Sequence, residues 1–267
     1  DHSSGGADPE VMVQDRLTKG KERLDQAIET ITLLCEPVPP PKGELEHIHY
    51  FCGNTEIPTD LEDKSPFRAA LYKATAGFAR SYANIADDLD SAGYSPSDIS
   101  RIRQQLDHSI KLREIIRRAS GESLDLKAYE ADMRHLIDTY IEASGPRKIS
   151  PFENSSLLEL IVKSGIADAI TAKLDHLKLK DSAVEEVIAN NVRSKIVKER
   201  MNDPAFFDRM SDLLEEVIAA RKAKAIEYEE YLKRIANLAV QVQNGQASDT
   251  PKTLNTPGLR ALFNNLG

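Results

Sequence analysis

The chain has 267 residues, 40% of them hydrophobic, with 35 Lys and Arg against 43 Asp and Glu. A net charge of −8 excludes a polybasic nucleic-acid coat, and no apolar run approaches the roughly 18 residues that cross a bilayer. Two Cys exclude a disulfide scaffold and fit a reducing compartment, while the length suggests one or two domains. Asp1–Gly6 has neither the basic start nor the apolar stretch of a secretory signal. Without an initial Met, the sequence reads as a processed chain or an excerpt. The charge is uneven: residues 151–267 hold 16 basic and 17 acidic side chains, so the acidic excess lies in residues 1–150.

Apolar residues recur at a period near 3.6 almost throughout, which predicts helices. Leu17, Leu24, Ile28, Ile31 and Cys35 make one stripe, after which four prolines in Glu36–Lys42 force a connection. Any strand would be short and confined to Glu44–Cys52. Leu71, Phe78, Ile85 and Leu89 form the next stripe, with Ala74 and Tyr82 filling the missing turns. Ile99, Ile102, Leu106 and Ile110 follow, then Tyr129, Met133, Ile137 and Tyr140. Ala143–Pro151, with two prolines, a glycine and two basic residues, reads as the domain boundary. Beyond it, Phe206, Met210, Leu213, Leu214 and Val217 make a seam, as do Tyr228, Tyr231, Ile235, Leu238 and Val242. Between Gln243 and Thr256 the chain is polar and turn-rich.

Helix starts are punctuated by Ser65-Pro66, Ser95-Pro96, Asp203-Pro204 and Thr256-Pro257, each a side-chain acceptor followed by a ring that presets the helical φ. Ser95 with Asp98 and Ser182 with Glu185 have capping-box spacing. Stops fall at Gly93, Gly121, Gly145-Pro146 and Gly245. The expected fold is all-α, a multi-helix, bundle-like architecture in two helical subdomains, residues 1–145 and 150–267.

Catalytic motifs are missing. The sequence contains no G-x-x-x-x-G-K-[ST], G-x-G-x-x-G, G-x-S-x-G or H-E-x-x-H. Its Asp-x-Lys, Asp125-Leu126-Lys127, lacks the upstream Pro-Asp of a metal-dependent nuclease. His47, His49 and Cys52 form an H-x-H-x-x-C string that offers soft ligands to zinc. A closed structural site needs four ligands, and Cys35 lies across the proline-rich loop. The string therefore reads as a packed turn or short strand, with a metal-dependent enzyme as the remote alternative. His108, His135 and His176 stand singly in helical contexts.

Basic runs are the remaining candidates. Lys111, Arg113, Arg117 and Arg118 crowd one helix; Arg193, Lys195, Lys198 and Arg200 another; Arg221, Lys222 and Lys224 close a third. Cations in a last turn also complement the helix dipole. Without interleaved aromatics for base stacking, any DNA contact would be to the backbone of double-stranded DNA and not sequence-specific. The latter two runs are the candidate DNA-backbone residues.

The second half resembles a known family. Pro151–Leu160 (PFENSSLLEL), Ala189–Arg200 (ANNVRSKIVKER), Ala225–Ala239 (AIEYEEYLKRIANLA) and Thr256–Gly267 (TPGLRALFNNLG) look like the C-terminal helical region of the R subunit of type I restriction–modification enzymes. The likeness covers residues 150–267 and reaches more weakly into the helical connector before them. It implies that this chain belongs to an ATP-dependent, Mg-requiring DNA translocase and endonuclease of the bacterial or archaeal cytoplasm. The nuclease and motor motifs would then lie upstream of Asp1, leaving no catalytic residue, metal ligand or cofactor site here. The implied role is to dock the motor subunit on the methyltransferase (modification) and specificity subunits and to help hold DNA. The large side chains of the matching strings, Phe152, Tyr228, Tyr231, Leu259 and Phe263, are the implied docking residues. A stand-alone, non-specific DNA-binding helical module is the alternative.

Overall fold

The computed structural model describes residues 8–121 and 155–266, and among them every regular element is helical. The all-α expectation holds. The chain divides into two compact units: residues 8–38 and 67–113 in the first, residues 39–66, 114–121 and 155–266 in the second. The second unit thus draws in two stretches of the N-terminal half. The boundary expected at Ala143–Pro151, the stripe from Tyr129 to Tyr140, Asp125-Leu126-Lys127, His135 and Gly145 lie outside the described residues.

In the first unit, α1 (Pro9–Cys35) and α4 (Ser65–Ile85) are joined by the opening turns of α5 (Pro96–Ser120). Leu17, Leu24 and Ile31 are the buried positions of α1, and Leu71, Phe78, Tyr82 and Ile85 are buried on α4. Gly20 leaves no room for a Cβ beside Ile85, so α1 approaches α4 closely there. Polar bonds fix the register: Arg103 Nε donates to Tyr82 Oη (2.9 Å) and Gln105 Nε2 to Thr32 Oγ1 (3.0 Å). Tyr94 Oη donates to Asp25 (2.7 Å), and its burial, with Asp25 beside it, raises its pKa.

The second unit is built around α8 (Asp181–Glu199), on which α2 (Glu44–Cys52), α6 (Leu157–Ser164), α9 (Pro204–Lys222) and α10 (Tyr228–Asn244) all pack. The short α3 (Asp60–Asp63) follows α2, α7 (Ile166–Lys173) pairs with α6, and α11 (Pro257–Leu266) lies on α9. Val187, Ile188, Val192 and Ile196 on α8 meet seams that include Phe206, Met210 and Leu214 on α9 and Tyr231, Ile235 and Leu238 on α10, all of them buried.

Two local expectations change. Glu44–Cys52 is helical, not a strand. Gly43 is its N-cap, and Glu46 Oε2 accepts from the Gly43 amide (2.9 Å), satisfying a donor that the helix leaves orphaned. Ile48, Phe51 and Cys52 then fall on one buried face. Ser182 is not a cap either, because α8 starts at Asp181 after an extended Lys180. The box instead forms at Ser156 and Glu159, where each side chain accepts from the other's amide (3.1 and 3.2 Å). Ser95 with Asp98 does cap α5, and Asp203 and Thr256 cap α9 and α11.

Candidate functional site: a buried polar centre and an outward apolar helix

The two sets of candidate residues sit in opposite environments. The basic run on α8 turns inward at its first member. Arg193 is 2% exposed; its Nη2 donates to the Thr55 carbonyl and its Nη1 lies 4.0 Å from Glu215. Burial pushes its pKa down, with Glu215 and Glu186 opposing. A guanidinium so enclosed cannot track a phosphate backbone, so Arg193 leaves the DNA set.

Glu186, two turns earlier on α8, is also buried. Its Oε1 lies 3.3 Å from His49 Nε2 and 3.7 Å from Lys222 Nζ. Burial works to raise its pKa, but the close approach of His49, the charge of Lys222 and the hydroxyl of Thr55 more than reverse this and hold it below the ordinary carboxylate value. Lys222 also donates to Asn54 Oδ1 (3.1 Å) and pairs with Glu56 (3.3 Å). These contacts join the loop after α2 to α8 and α9. Arg193 and Lys222 each meet a carboxylate or carbonyl of the same unit, but His49 Nε2, Glu186 Oε2, Asn190 Nδ2 and Arg193 Nε are buried with no hydrogen-bond partner among the described residues.

Most of the rest of the basic set is paired with carboxylates, on more exposed ground. Lys195 pairs with Glu199 (3.3 Å) and Arg200 with Asp208 (2.7 Å). Arg221 pairs with Glu185 (2.9 Å), donates to the Ile226 carbonyl and lies over the Tyr228 ring. Lys198 and Lys224 occupy exposed positions. On the other helix, Arg117 and Arg118 share Glu114, whose burial raises its pKa less than the two guanidiniums lower it. Arg113 is buried with its guanidinium over the Tyr72 ring, and Lys111 is exposed. The three possible zinc ligands diverge: His47 Nδ1 bonds the Gly43 carbonyl (2.7 Å), His49 faces Glu186, and Cys52 Sγ points to the Ile116 carbonyl. Among the described residues no three His, Cys, Asp or Glu side chains converge.

The docking set divides. Tyr231 is 2% exposed, its hydroxyl donating to the Glu185 carbonyl (3.0 Å), and burial raises its pKa. It belongs to the core, not to a surface. Tyr228 is half-buried, and Phe152 lies outside the described residues. Leu259 and Phe263 are surface residues, on a helix of unusual orientation. On α11, Leu259, Leu262, Phe263 and Leu266 are 45%, 56%, 50% and 77% exposed, and no residue of the helix is buried. The face turned to the protein carries Ala261, Asn264 and the guanidinium of Arg260, which donates to the Leu254 carbonyl. Asn264 Nδ2 donates to Asp203 Oδ2 and Asn265 Nδ2 to Asp203 Oδ1, both at 2.8 Å. Asn265 Oδ1 in turn accepts from the Ala205 amide (3.3 Å). The helix is thus moored by its polar face and displays its apolar one, the reverse of an ordinary surface helix.

Leu259 and Phe263 are among the docking residues expected from the sequence; Leu262 and Leu266 are not, and Asp203 is expected there only as a helix cap. The i, i+3, i+4, i+7 spacing of the four apolar residues was visible; which way they point was not. Comparison with family models, curated proteins and solved structures finds no match to this chain. Among the described residues, no helix is long and apolar enough to cross a membrane.

Proposed function

We propose that the chain is a non-catalytic helical assembly module of a type I restriction R subunit, docking the motor subunit on the methyltransferase–specificity core. The sequence strings of residues 150–267 suggest the family. The observation that supports docking is the apolar stripe of α11, displayed to solvent on a helix with its polar face occupied. Apolar residues at i, i+3, i+4 and i+7 on one face are the anchors of helix-in-groove recognition. Catalysis, with its ATP and Mg, belongs in this reading to other parts of the parent subunit.

Capture of a purified methyltransferase–specificity core by this chain, with and without DNA, tests the reading. Binding that does not require DNA is the expected result. ATP hydrolysis or DNA cleavage by the pure chain contradicts it. The alternative, a non-specific DNA-binding module, has less support, because Arg193 is enclosed and Lys195, Arg200, Arg221 and Lys222 are paired with carboxylates. Its signature would be an affinity that falls steeply with salt.

A further inference from the structure

Asp203 does two tasks at one place. As N-cap of α9 it accepts from the Phe206 amide through Oδ1 (3.2 Å). Through the same oxygen it accepts from Asn265, and through Oδ2 from Asn264. It is buried, and its three partners are all N–H donors of the protein. A carboxylate offers only acceptors, and bonds to a charged acceptor are the strong ones. No residue of α11 is itself buried, so its packing on α9 is shallow, and these bonds, with those of Arg260 and the Ala205 amide, moor it by its polar side chains.

We propose that Asp203 is a positioning residue that holds α11 preformed with Leu259, Leu262, Phe263 and Leu266 outward, and that the helix enters an uncharged apolar groove on the methyltransferase–specificity core. This rests on the function proposed above. The chemistry of the groove follows from the stripe: the one charged residue of α11, Arg260, is turned inward to the Leu254 carbonyl, so the stripe carries no charge for a partner to match. Pairing α11 with the α11 of a second copy buries too little. The four half-exposed side chains present on the order of 400 Å², against roughly 800 Å² per partner in a stable specific interface. Two such helices pairing alone fall short, whereas a groove that encloses the helix also reaches its flanks. Mooring matters because a helix of ten residues is marginal in isolation. Affinity falls by the fraction of molecules with the helix in its binding-competent form.

The test uses Asp203→Asn. Asn caps a helix about as well as Asp, so α9 keeps its cap, while Asn264 and Asn265 lose the charged acceptor that makes their bonds strong. The double variant Asn264→Ala with Asn265→Ala breaks the mooring without touching the cap, and Leu262→Asp alters the stripe alone. Affinity for the core is measured by calorimetry, backbone exchange by hydrogen–deuterium mass spectrometry, and mass by sedimentation. Expected are faster exchange confined to residues 257–266 in both mooring variants, unchanged melting temperatures, and roughly tenfold weaker binding. Leu262→Asp is expected to weaken binding roughly 30-fold or more while exchange in α11 stays as in the wild type. Faster exchange in α11 with undiminished binding overturns the positioning role. Full binding by Leu262→Asp overturns the stripe as the contact and leaves the proposed function standing. A wild-type dimer dispersed by Leu262→Asp replaces the groove with a second copy. Failure of the wild type to bind the core overturns the proposed function, and the occupant of the stripe with it.

Discussion

Helices α8 and α11 carry the two strings that most invite a functional reading, and the structure treats them in opposite ways. Helix α8 has basic residues that look made for a polyanion, yet it is covered on nearly every side and its first arginine is 2% exposed. Helix α11 has apolar residues that look made for a core, yet none is buried. Covering decides the outcome. A charge enclosed by helices must find its counter-charge within the protein, and an apolar stripe with its polar face occupied is left for a partner. The inner charged residues of α8 therefore have partners within their own unit, and the apolar residues of α11 are the surface that the proposed docking uses.

The largest effect should come from reversing the buried charge. Arg193→Glu would set a second carboxylate beside Glu215 and near Glu186, and should cost about 4 kcal/mol or more in denaturant unfolding. A variant that unfolds normally and only loses DNA affinity would break the contrast between the helices. Next is Glu186→Gln, expected to cost about 3 kcal/mol because His49 and Lys222 lose their shared carboxylate. It carries a pH signature. The folded-state pKa of Glu186 lies below its ordinary value of 4.5. Its contribution is therefore complete above that value and is lost as pH falls through the lower, folded one. Unfolding titrated from pH 6 to pH 2 should show a shallower acid decline in Glu186→Gln than in the wild type.

Smaller effects follow where the chain meets α8. Gly121 has φ of +63°, and a Cβ there would come 2.9 Å from the Asn191 Cα. Gly121→Ala should cost about 2 kcal/mol. Ser156→Ala removes one side of a capping box on α6 and should cost about 1 kcal/mol. At the far end of the scale, Leu262→Asp should change stability by less than about 0.5 kcal/mol, as expected of an exposed position. A large loss there would mean that the stripe is core after all.

Much of the fold was legible because it is written in local chemistry. Ser95 with Asp98, Asp203 before Pro204 and Thr256 before Pro257 mark starts by side-chain bonds made within three residues. Leu17, Leu24 and Ile31 mark a face by spacing alone. Glu44–Cys52 was harder to read. Nine residues give few turns to show a period, and two histidines and two aromatics favour no element strongly. Arg193 was illegible as a buried residue, because its partners, the Thr55 carbonyl and Glu215, come from a loop and a helix far along the chain. Apolar and polar residues surround α8 on all sides, so its sequence names no outward face. For α11 the stripe is plain in the sequence, but its direction depends on partners elsewhere: Asp203 and Ala205, some sixty residues away, and the Leu254 carbonyl. Local sequence carries elements and caps; enclosure and orientation come from distant partners.

The most direct measurement is hydrogen–deuterium exchange of the wild-type chain with and without the methyltransferase–specificity core. Added core should slow exchange in residues 257–266 and leave residues 189–200 of α8 as they were. Slowing confined to residues 189–200, with α11 unchanged, would contradict docking through α11.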